Sequence, residues 1–157
     1  MKTKKIKTYV LTVSQVFPSY HPAKGKPTNF PTNILLGVKI HTIRANYELW
    51  KKRINEVNAG KAVLSIRYWD GKPYKDKQRE FYQLDKDSGL GVQRLDGMCF
   101  VNHTVFIDGT DVDFIPAALG QLADNDGLSL QQFKDWFRKP NSEPMAIIHF
   151  TDFRYKK

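Results

Sequence analysis

Lys61-Ala62-Val63-Leu64-Ser65-Ile66-Arg67-Tyr68-Trp69 alternates strictly: Ala62, Leu64, Ile66 and Tyr68 fall on one face of an extended chain, and Val63, Ser65, Arg67 and Trp69 on the other. This period of two predicts a strand. Asp70-Gly71-Lys72-Pro73 is a turn signal, and residues 78–84 predict the returning arm of a hairpin. On the N-terminal side, residues 7–17 (KTYVLTVSQVF) are rich in valine and aromatics and predict another strand, ended by Pro18 and a Gly/Pro-rich run to Pro31. On the C-terminal side, strands are expected at 91–95, 100–107 and 145–153.

Four short helical segments interrupt these strands. Phe30 to Gly37 has proline in its first turn and glycine at its stop. After a short extended run, 39–44, Asn46 opens a second helix in which Tyr47, Trp50, Ile54 and Val57 recur at helical spacing up to Gly60. Residues 116–123 predict a third, halted near Asn125-Asp126-Gly127. A fourth starts at Ser129, where Gln132 completes a capping box and Leu130, Phe133, Trp136 and Phe137 form an apolar face ending before Pro140. Many short strands with a few short helices predict an α+β fold, a small curled β-barrel of mostly antiparallel strands, over a parallel α/β sheet.

The chain has 157 residues, 41% hydrophobic and 26% charged, the profile of one globular domain with no internal repeat or linker. Its single cysteine, Cys99, forms no internal disulfide, and no apolar run suffices for a membrane span or signal core. The expectation is a cytoplasmic protein with no membrane partner.

The formal net charge of +9 is concentrated at the ends: Lys2, Lys4, Lys5, Lys7, Arg154, Lys156 and Lys157 leave only +2 for residues 8–153, and 1–7 reads as a flexible basic tail. The body is polarised. Residues 23–53 hold seven basic groups (Lys24, Lys26, Lys39, Arg44, Lys51, Lys52, Arg53) against Glu48, whereas 107–126 hold Asp108, Asp111, Asp113, Asp124 and Asp126 with no base. Folding that joins these segments would set a lysine against a carboxylate, and the basic groups would attract a polyanion.

His21, His41, His103 and His149 are scattered, without zinc-site spacing, so no metal or other cofactor is expected. No nucleophile elbow or phosphate-binding P-loop is present, and Gly89-Leu90-Gly91 reads as a turn. His149 reads as a core residue. The notable segment is Gly37-Val38-Lys39-Ile40-His41-Thr42-Ile43-Arg44, which places a lysine among buried-looking aliphatics. Lys39 and Thr42 share one side of a helical turn but opposite faces of a strand, so they converge only if the turn persists. A desolvated amine beside a hydroxyl can serve as its base; the alternative is a surface lysine and a structural threonine.

Gly37-x-Lys39-x-x-Thr42-x-Arg44, followed by the Trp50 helix and Gly60-Lys61-Ala62-Val63-Leu64, resembles the signature of the ASCH family of PUA-like β-barrels. Asn125-Asp126-Gly127-Leu128-Ser129 with Phe133, Trp136 and Phe137, then Ile147-Ile148-His149-Phe150 and Arg154-Tyr155, resembles the family's closing helix and strand. The resemblance spans about residues 30–155. It implies a cleft beside the G-x-K motif that binds RNA or a modified nucleoside. Many ASCH proteins carry glutamate where this chain has Thr42; threonine there is similar to the small bacterial branch that deacetylates N4-acetylcytidine with a lysine, a threonine and a glutamate. Lys39 and Thr42 match the first two, and Asp126, one methylene shorter, stands for the third. The resemblance implies a catalytic set of Lys39, Thr42 and Asp126, with Gly37, Arg44, Tyr47, Trp50 and Asn125 as substrate or nucleic-acid contacts. For Tyr47 and Trp50 core packing is the competing reading, and for Asp126 an ordinary turn residue. A non-catalytic RNA-binding module, or a protein-interaction module using the acidic segment, are the alternative functions.

Overall fold

The computed structural model describes residues 5–99, 104–107, 110–113, 116–139 and 143–155. The strands are β1 (Lys7–Thr12), β2 (His41–Ala45), β3 (Ala62–Trp69), β4 (Gln78–Leu84), β5 (Gly91–Cys99), β6 (Thr104–Ile107), β7 (Thr110–Asp113) and β8 (Met145–His149). The helices are α1 (Phe30–Leu35), α2 (Tyr47–Asn58), α3 (Pro116–Asn125) and α4 (Leu130–Trp136).

The alternating segment is the centre of one sheet. β3 runs parallel to β1 and antiparallel to β4, with Leu64, Ser65 and Ile66 fully buried. Two parallel strands need a crossover, and the chain between β1 and β3 supplies it through α1, β2 and α2. The second sheet has the order β2-β8-β5-β6-β7 and is antiparallel throughout. Every residue of β8 is buried, which its apolar MAIIH sequence accommodates. The amphipathic α2 packs on β3 of the first sheet and on β5 and β8 of the second, burying Trp50, Ile54 and Val57. The fold is therefore α+β with mostly antiparallel pairing. Among the described residues no ladder joins the two sheets into a closed barrel; α2 and the shared core bridge them instead.

Several expected boundaries move. The strand predicted over 7–17 leaves regular pairing after Thr12, although Val13 N still donates to Arg67 O and Val16 bridges Pro27. The strand predicted over 145–153 ends at His149, and the segment after it turns back across the sheet. β5 runs four residues past the predicted 95, and β7 has no apolar alternation to announce it. The Asp108 side of the acidic segment, residues 100–103 of the predicted sixth strand, most of the basic N-terminal tail and Lys156 and Lys157 lie outside the described residues. Among the described residues no helix is long and apolar enough to cross a membrane.

Candidate functional site

The G-x-K segment is built by the end of α1. With Pro31 in its first turn, the helix closes at Leu36, and Gly37 takes φ +74°, the left-handed conformation that ends helices. Asn33 O then accepts from both Val38 N and Lys39 N, at 2.8 and 3.0 Å, and this double bond turns the chain from helix into strand. Ile40 is clamped on both sides, its N donating to Asn125 O and its O accepting from Phe150 N, each at 2.9 Å. That clamp docks the end of α3 on the start of β2.

The end of α3 is shaped to receive the lysine. Leu128 N donates to Ala123 O and Gly127 has φ +79°, a glycine-terminated helix end. A Cβ on Gly127 would stand 3.2 Å from Lys39 Cβ, so both the backbone angle and the close approach of the lysine stem call for glycine. Lys39 Nζ donates to Asp126 O at 2.7 Å and to Asp126 Oδ1 at 2.9 Å, and lies 4.2 Å from the centre of the Phe30 ring. The ammonium thus meets a carboxylate, a free helix-terminal carbonyl and an aromatic face, three partners that favour a cation. Lys39 is 2% exposed and Asp126 4%, so the basic and acidic segments meet in the interior.

His41 extends the cluster. Its Nδ1 is 3.4 Å from Asp126 Oδ1, an electrostatic contact without hydrogen-bond geometry, and its Nε2 is 2.6 Å from the Tyr155 hydroxyl. Asn125 Nδ2 donates to the same hydroxyl at 3.1 Å. In β8, the strand beside β2, His149 faces His41 in register, with ring centres 5.6 Å apart. His149 Nε2 donates to Gln93 Oε1 at 2.9 Å, leaving its buried Nδ1 as a bare acceptor. Gln93 in turn accepts from Tyr155 N and donates to Tyr155 O, at 2.9 and 3.1 Å. Arg154 lies across Gly91, where a Cβ would collide with its guanidinium, and donates to Gly89 O. These contacts hold the C-terminal segment over β5 and β8.

Burial sets the ionisation of the cluster. It pulls Lys39 below the usual lysine range, with the Asp126 charge acting in the opposite direction. Burial pushes Asp126 upward, but the Lys39 charge and the contacts with His41 and Lys39 outweigh it, and the carboxyl stays below its ordinary value. His41 is lowered, chiefly by burial. Burial lowers His149 to about 3, and the Arg154 charge, together with that of His41 whenever it is protonated, acts in the same direction. At neutral pH both imidazoles are neutral and the carboxylate is charged.

The structure brings Lys39 and Asp126 together, with Asn125 joined to His41 through the Tyr155 hydroxyl. Thr42 is buried one strand residue beyond His41 and on the opposite face, because the turn that would align it with Lys39 ends at Gly37; no hydrogen bond joins the two. Arg44 donates to Thr12 O at 2.6 Å and so ties β2 to the end of β1. Gly37 faces open space. Trp50 is buried in the core beneath the Arg53 guanidinium, 5.0 Å away, and Tyr47 stands half-buried at the rim of a surface hollow with Ala45, Asn46, Glu143 and Pro144. Both aromatics take the packing role that their helical spacing offers.

His41, Tyr155 and Gln93 were not singled out by sequence reasoning. For His41 a signal existed: alternation in 41–45 sets it on the face of Ile43, which is inward. Nothing local marks Gln93, and Tyr155 entered only as part of the Arg154-Tyr155 pair in the family resemblance, with no role attached. Among the described residues no three His, Cys, Asp or Glu side chains converge as a metal site. No family model, curated protein or solved structure matches the chain.

Proposed function

We propose that the chain is an ASCH-type, PUA-like protein that binds RNA or a modified nucleoside at Lys39 and Asp126. The observation that carries this reading is the 2.9 Å contact between Lys39 Nζ and Asp126 Oδ1, two motif residues brought together across 87 positions and kept from water. A carboxylate accepting from a buried ammonium is a ready acceptor for an exocyclic amine, and the ammonium is a donor for a base carbonyl. A ligand reaches them only by displacing part of their cover.

The sharper form of the proposal is deacylation of an N-acylated base. Lys39 first gives its extra proton to solvent, a loss that burial favours. The neutral amine then takes the Thr42 hydroxyl proton as the oxygen attacks the acyl carbonyl; the C–N bond breaks, the exocyclic amine leaves with the proton from Lys39, and water releases the acid from the acyl-threonine. Asp126 positions Lys39 and the amine. The step requires the backbone at the start of β2 to rearrange, because Thr42 sits on the strand face opposite Lys39. The absence of a Thr42–Lys39 hydrogen bond favours a second reading, in which the site binds a nucleoside or RNA without chemistry.

Incubation of the protein with N4-acetylcytidine and other acylated nucleosides, following acid release, tests the first form. Release lost in Lys39→Ala and in Thr42→Val, each confirmed folded by circular dichroism, is the expected result. Full activity in both variants would place the reaction elsewhere, and absence of release from the native protein would leave binding alone.

A further inference from the structure

A second site lies beside Trp136, which packs on Phe30. The loop between β1 and α1 folds back on α4 and encloses, with the residues after that helix, a cavity of about 520 Å3 lined by Tyr20, Trp136, Phe137, Arg138 and Lys139. The volume falls in the roughly 300–1,000 Å3 range of ligand pockets.

The walls are fixed before any ligand arrives. His21 is buried beneath the loop, its Nδ1 accepting from Ala23 N and its Nε2 donating to Gln132 O, both at 3.0 Å, which staples the loop to the helix. Tyr20 Oη donates to Trp136 O at 2.8 Å, and Arg138 donates to Tyr20 O at 2.8 Å with its guanidinium 5.6 Å from the Tyr20 ring centre. Trp136 is braced by Phe17 and Phe30, each with ring centres 5.6 Å away. Tyr20 nevertheless remains 48% exposed.

The charge at the mouth is one-sided. No acidic residue lines the cavity, and among the described residues no carboxylate pairs with Arg138 or Lys139. Two cations beside a fixed aromatic wall, in which Tyr20 is exposed and Trp136 and Phe137 are half-buried, complement a ligand that is both flat and anionic. Phe30 links this pocket to the buried pair, since the ring that braces Trp136 also lies under Lys39 Nζ.

We infer that the Tyr20–Trp136–Arg138 pocket binds a nucleotide unit of single-stranded RNA, its base against the aromatic wall and its phosphate at Arg138 and Lys139. This rests on and deepens the nucleoside reading: the ligand is a phosphate-bearing strand, with a second contact point beyond Lys39 and Asp126.

The test is fluorescence anisotropy of a labelled hexauridylate with the full chain, across several salt concentrations. Arg138→Gln should weaken binding about tenfold, the loss of one charge-assisted contact. It should also reduce the log–log salt slope by about 0.7, the value for one phosphate contact on a single strand. Uridine monophosphate should compete better than either uridine or inorganic phosphate. Arg138→Gln/Lys139→Gln with unchanged affinity and slope would overturn the inference, as would competition by inorganic phosphate equal to that of the nucleotide, or by a phosphotyrosine peptide better than the nucleotide. Lys39→Ala measured in parallel separates the two sites: loss with Lys39→Ala alone sinks the pocket and leaves the Lys39 reading, whereas loss with the Arg138 variants alone keeps the pocket and sinks that reading.

Discussion

The buried Lys39–Asp126 pair and the open Tyr20–Trp136–Arg138 pocket both border Phe30 and are built on opposite terms. The pair has charge in a dry setting, where electrostatic contacts are strong and loss of a partner is expensive. The pocket has access and fixed aromatic walls, but its cations face solvent, where pairing contributes little to stability. The difference teaches how one small fold separates the group that could do chemistry from the surface that could capture a ligand.

The largest effect should come from breaking the buried side. Asp126→Ala leaves the Lys39 ammonium unpaired in the interior and should destabilise the protein by about 3–5 kcal/mol in urea unfolding, with Lys39→Met in the same chain recovering most of it. A loss below about 1 kcal/mol would mean that the pair is solvated in solution and that the contrast fails. Acid should act on the same region more gradually. His149 is held neutral down to about 3 in the folded protein, whereas the unfolded chain protonates it near 6.5. The unfolded state therefore binds the extra proton, and stability should fall by about 1.4 kcal/mol per pH unit as pH drops through this window. Replacing His149 with Gln should flatten that slope. The smallest effect belongs to the pocket: Arg138→Gln should change stability by no more than about 0.5 kcal/mol while weakening RNA binding, so a large loss of stability there would erase the distinction.

Sequence reasoning reaches the elements whose signals are local. The 61–69 alternation, the Asn46 and Ser129 caps and the glycine stops at Gly37 and Gly60 all act within a few residues, and the structure uses each of them: Asn46 accepts from Leu49 N, and the Ser129–Gln132 box closes in both directions. The Lys39–Asp126 contact was legible because polarised charge segments and a helix-stop glycine bracket it. What escapes is long-range. The parallel pairing of β1 with β3 depends on the crossover, and β7 is carried by its neighbour β6 rather than by hydrophobic alternation. Tyr155 reaches His41 only because Arg154 and Gln93 hold the last segment across the sheet, contacts made 62 or more residues apart. Thr42 shows the reverse case. Spacing allowed it to meet Lys39 on a helical turn, and the early end of α1 gave it the strand's alternation instead.

The most direct test of Lys39 as the ligand centre is NMR observation of its side-chain ammonium in 15N-lysine protein titrated with N4-acetylcytidine and cytidine. A slowly exchanging Lys39 signal, protected by Asp126 and Phe30, should shift as ligand is added and be missing from Lys39→Ala. A Lys39 signal that stays fixed at saturating ligand, while pocket resonances move, would contradict the account.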